Sequence, residues 1–151
     1  VVDGAGNNIP GDEIGTGGFD LRLRGVNRGD FISARLRIKS VQVTSGASVL
    51  ANTLKTPEVD LAAMGHAYLL ASFQPPAGVE DVEFAVTIEG GTVSTEKANF
   101  EVESRCQTLR VAGKVNSIAQ RNHAVIHLDV ARSFLQSGTR VMLVPHFQLV
   151  Y

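Results

Sequence analysis

The strongest constraint on the fold of this chain is a two-residue alternation that runs from Val82 to Glu89. Val82, Phe84, Val86 and Ile88 are apolar, and Glu83, Ala85, Thr87 and Glu89 fall between them. Successive side chains of a β-strand point to opposite faces, so this pattern gathers four apolar groups on one side of an extended segment. The same period returns at Phe19, Leu21 and Leu23, interleaved with Asp20 and Arg22. It returns again at Ile32, Ala34, Leu36 and Ile38, interleaved with Ser33, Arg35 and Arg37. After Ser40 the apolar phase slips to Val41 and Val43. A one-residue slip would turn the apolar set outward, so a β-bulge is predicted near Ser40.

Further strand signals lie at Val59 with Leu61, Phe100 with Val102, Leu109 with Val111, His123 to Val130, and Arg140 to Tyr151. Turn residues separate them: Ser45-Gly46, the run from Gln74 to Gly78, and Gly90-Gly91, which is expected to close the Val82 strand. One helical turn fits at Leu61 to Met64, but nothing sustains a long helix. Short strands at close intervals without helical crossovers predict an all-β fold: an antiparallel, Ig-like β-sandwich of about seven to eight strands over residues 19–151.

A chain of 151 residues fits one domain and buries enough apolar surface to need no disulfide or metal staple. Cys106 is the only cysteine, so no intramolecular disulfide forms; it reads as a small packing residue. Residues 1–18 are dense in Gly, Asn and Asp and poor in large apolar side chains, which reads as an arm or linker. The sharper alternative is an arm that orders on a neighbouring subunit. Beginning at Val1 instead of Met, the chain reads as a processed mature protein or a fragment of a longer one. No apolar run reaches the roughly 20 residues of a membrane-spanning helix.

Fourteen basic residues stand against fifteen acidic ones, a net charge of −1, which argues against a nucleic-acid partner. The basic residues are nevertheless patterned. Arg22 and Arg24 share one strand face, and Arg35, Arg37 and Lys39 follow on the next strand. If these strands pair, five cations share one sheet face, suited to an anionic polysaccharide or a partner protein. The alternative is a solvated face balanced by Glu residues elsewhere.

His127 and Asp129 are the weak candidates for a metal site. On a strand they share a face with His123 and Val125, while Ala124, Ile126, Leu128 and Val130 turn to the core. His123 and His127 then lie roughly 13 Å apart, too far to share an ion. His127 and Asp129, at roughly 6.7 Å, need further ligands from another strand. His66 and His146 are the other histidines, and nothing in the sequence places them there. A solvated face is the favoured reading, with no metal and no cofactor. There is no Gly-x-Ser-x-Gly elbow, and Gly15-Thr16-Gly17-Gly18 lacks the lysine of a phosphate-binding loop. No catalytic residue is assigned. Arg28-Gly29-Asp30 matches a tripeptide of some adhesive ligands, but it falls where a turn wants Gly and Asp anyway.

Several segments, in order, carry a resemblance. They are Val41-Gln42-Val43, Val59-Asp60-Leu61, Pro76-Ala77-Gly78 leading into Val82 to Val86, Ile126 to Asp129 with Ser133, and Val141 to Pro145. Together they resemble an uncharacterised β-sandwich domain family of secreted and lipid-anchored bacterial surface proteins, although this chain has no Trp and few aromatics. The resemblance covers about Phe31 to Tyr151 and implies an extracellular or cell-surface setting. It supplies no catalytic residues. The expectation is a non-enzymatic structural or adhesive module with protein partners or self-assembly. The alternative is a carbohydrate- or anionic-polymer-binding sandwich, and a metal-binding module at the His/Asp face is the weakest.

Overall fold

The computed structural model describes residues 19–63, 65–103 and 107–151; the expectations for the arm and for Cys106 lie outside them. In chain order the strands are β1 (Phe19–Val26), β2 (Phe31–Ser45), β3 (Ser48–Ala51), β4 (Glu58–Asp60), β5 (Ala67–Phe73), β6 (Asp81–Thr95), β7 (Asn99–Val102) and β8 (Gln107–Lys114). Helix α1 (Val115–Arg121), β9 (His123–Asp129), helix α2 (Val130–Ser133), β10 (Phe134–Ser137), β11 (Arg140–Leu143) and β12 (Phe147–Val150) complete it.

Two sheets pack face to face, as the alternation requires. The smaller runs β12-β9-β1-β5, and the larger runs β10-β11-β7-β6-β2-β3, with β4 also paired to β2 and β8 to β6. Leu21, Leu23, Ile126 and Leu128 from the small sheet meet Leu36, Phe84, Ile88 and Leu109 from the large one in a single core. Phe73 sets its ring edge-on against Phe84 across the layers, with centroids 5.5 Å apart. The sandwich is therefore as expected, with twelve strands among the described residues where seven to eight were predicted. The surplus comes from β3, β5 and β10, which were not among the segments read as strands, and from the division of the Arg140 to Tyr151 segment into β11 and β12.

The predicted bulge is present. Ile38 pairs with Ile88 and Ser40 with Thr87, leaving Lys39 as the extra residue, so Leu36, Ile38, Val41 and Val43 all reach the core. At the following hairpin Gly46 takes φ 58° in the first central position, where a two-residue turn favours glycine.

Two expectations fail. The sheets are not purely antiparallel: β1 pairs with β9 in parallel, and so does β7 with β11. These partners are far apart in sequence, so no hairpin dictates their direction. The Val82 strand also does not close at Gly90-Gly91. It continues to Thr95, exchanging β8 for β7 as its neighbour while keeping β2 on its other side. At Gly91 the backbone of β2 passes so close that a Cβ would overlap the carbonyl of Arg35. Glycine here permits a crossing, where the sequence suggested an end.

Candidate functional site

The outer face of the small sheet gathers most of the chemistry, in rows set by strand register. Ser72, Asp20 and His123 form one row across β5, β1 and β9. Leu69, Arg22, Val125 and Val150 form the next, and Ala67, Arg24, His127 and Gln148 the third. Val26 and Asp129 end it. β1 and β9 lie in the middle of the sheet, so their side chains are flanked on both sides.

The predicted five-cation face does not form. β1 and β2 belong to different sheets, which separates Arg22 and Arg24 from Arg35, Arg37 and Lys39. Arg22, expected on a wet face, is 1% exposed. It donates from Nη2 to Asp20 Oδ2 at 3.1 Å and from Nη1 to the carbonyl of Ala67 at 3.1 Å. Ser72 Oγ donates to the other oxygen of Asp20. Two cross-strand neighbours, Leu69 and Val125, are themselves buried, so this arginine is fixed among apolar groups by its partners. Arg35 and Arg37 are exposed instead, above a polar groove of about 490 Å³ shared with Ser33, Glu58, Thr92 and Asn99. Lys39 projects from the bulge.

β9 alternates as the sequence predicts: Ala124, Ile126 and Leu128 are buried in the core, while His123, His127 and Asp129 lie half-buried on the outer side. The His127–Asp129 end opens into a cleft of about 450 Å³, and the structure adds three polar residues to it: Arg132, His146 and Gln148. Two local devices bring them in. Asp129 caps α2, its Oδ1 accepting from Arg132 N at 3.1 Å and from Asn27 Nδ2 at 3.0 Å. His146 is drawn in by its main chain, which accepts from Asp129 N at 2.8 Å and donates to Ser133 Oγ at 2.9 Å. No spacing in the sequence foretells this meeting of three segments.

A second guanidinium lies next to the cleft. Arg24 sits in register beside His127, and its Nε is buried with no hydrogen-bond partner among the described residues. Burial first, and then the charge of Arg24, hold the His127 imidazole below its ordinary titration range. No set of three or more His, Cys, Asp or Glu among the described residues is arranged to hold a metal ion, although His127, Asp129 and His146 all line the cleft. Ser133 lies close to His146 and Asp129, yet its hydroxyl is wholly buried and bonded to the His146 main chain. His66 lies apart from the cleft and stacks on Tyr68.

Comparison with protein-family models, with curated proteins and with solved structures gives no match to this chain.

Proposed function

We propose that the chain is a non-enzymatic structural or adhesive module of a bacterial cell surface, working as a subunit of a larger assembly. The bacterial surface setting rests on the ordered segments from Val41 to Pro145 described above. The assembly reading rests on the β10–β11 hairpin. β10 is the terminal strand of the large sheet, so one edge of its backbone is left without a partner strand among the described residues. Its outward side chain Leu135 is 51% exposed, and the cross-strand partner Met142 is 36% exposed. Val144 continues the apolar strip. An uncharged edge strand carrying exposed apolar groups is a template for another strand, and chains that stay single usually blunt such edges with Lys or Pro. A second copy of the chain is the partner this reading commits to.

Light scattering and electron microscopy of the purified chain test it. The expected result is a multimer that dissociates to single chains on the paired replacement L135K/M142K, with the far-ultraviolet circular dichroism unchanged. A chain that stays monomeric with and without residues 1–18, and binds no bacterial surface component, overturns the reading.

A further inference from the structure

We propose that the cleft between β9, α2 and the β11–β12 connection is a binding site for an oxyanion, the carboxylate or phosphate group of a small molecule or acidic glycan. The inference does not depend on how the chain assembles.

The groups facing the cleft decide the sign of its ligand. His127 and Asp129 face it from β9, Arg132 from α2, His146 from the connection and Gln148 from β12, while Arg24 of β1 lies beside His127 without lining the cleft. One guanidinium and two imidazoles therefore line the cleft against one carboxylate, with the second guanidinium of Arg24 next to His127. Oδ1 of that carboxylate already accepts two hydrogen bonds, from Asn27 and from the α2 backbone. Neither Arg24 nor Arg132 forms an ion pair among the described residues, whereas Arg22, Arg110 and Lys114 each do. The Arg24 guanidinium beside the cleft adds positive charge, and its buried Nε donates to nothing described. A bound oxyanion supplies acceptors for Arg132, Gln148 and both imidazoles, and charge-assisted bonds of this kind are among the stronger polar contacts. A cation would meet the same arginines as repulsion.

The size fits a monosaccharide-scale group, since ligand clefts usually enclose about 300–1,000 Å³. Val26, Pro145 and Phe147 give the cleft its apolar wall, against which the ligand's carbon skeleton would rest.

The test is a titration of the full chain, followed through the ring signals of His127 and His146 by NMR. Inorganic phosphate and galacturonate are the probes, and sodium chloride at equal ionic strength is the control. Saturable shifts at both rings, with the titration of His127 displaced upward, are expected for at least one probe. Phosphate alone assigns the site to phosphate esters, and galacturonate alone to acidic sugars. Arg132 is exposed, so Arg132→Gln should fold normally while weakening binding about tenfold or more. Arg37→Gln on the other sheet should leave it unchanged. If neither probe gives a saturable shift, if chloride reproduces it, or if Arg132→Gln binds as tightly as the parent, the proposal fails.

Discussion

Arg22 and Arg35 occupy the same place in the same kind of pattern, yet one is interior and the other is wet. Each stands between apolar neighbours on an alternating strand, and each points away from the core between two flanking strands. The difference lies in those flanking residues. Arg22 has Leu69 and Val125 beside it, both buried, while Arg35 has Asp60 and Thr92. A guanidinium held among apolar groups needs a fixed counter-charge, and Asp20 supplies it two residues away on the same face. Alternation assigns a side chain to a face. The neighbouring strands decide whether that face behaves as surface.

The contrast is sharpest where Arg22 is left without its partner. Asp20→Ala removes the carboxylate that Arg22 and Ser72 both use and strands a buried cation, so it should destabilise the chain by about 3–5 kcal/mol. Arg35→Ala on the other sheet should change stability by no more than about 0.5 kcal/mol. Urea unfolding of the two variants against the parent measures both. Similar losses would mean that the two faces are alike after all.

The same reasoning explains what could be read in advance. The bulge at Lys39 was legible because a local slip of apolar phase has one simple cure, and the alternation of β9 because it depends on seven consecutive residues. The passage of β6 through Gly90-Gly91 was not, because Gly91 answers to a carbonyl on β2, more than fifty residues earlier. The parallel partnership of β1 and β9 joins residues about a hundred positions apart. For the cleft, His127 and Asp129 were visible on one strand. Arg132 needed the α2 cap, and His146 needed a main-chain link formed only once β12 lies on β9.

A smaller effect separates the charged ends of the two outer faces. Asp129 caps α2 and ties down Asn27, whereas the Glu58 side chain lines the Arg35/Arg37 groove without a hydrogen bond or ion pair among the described residues. Asp129→Ala should cost about 1 kcal/mol, the usual worth of a helix N-cap, and should loosen the wall of the cleft. Glu58→Ala should sit within about 0.5 kcal/mol of the parent. Thermal unfolding followed by circular dichroism resolves the two.

The smallest expected effect is a pH dependence confined to the small sheet. Burial and Arg24 lower the His127 titration below its ordinary value near 6.5. From that value down to the folded-state one, the unfolded chain binds the proton more readily than the folded chain does. Stability attributable to this residue is therefore complete above about pH 6.5 and falls as the pH drops through the lowered folded value. His127→Gln should remove that component of the slope. Unfolding free energies measured across pH 5–7 would show the parent and variant curves diverging toward the acid end. Parallel curves would mean that the imidazole is solvated in the folded chain, and that the small sheet's outer face is as wet beside Arg24 as the large sheet's is beside Arg35.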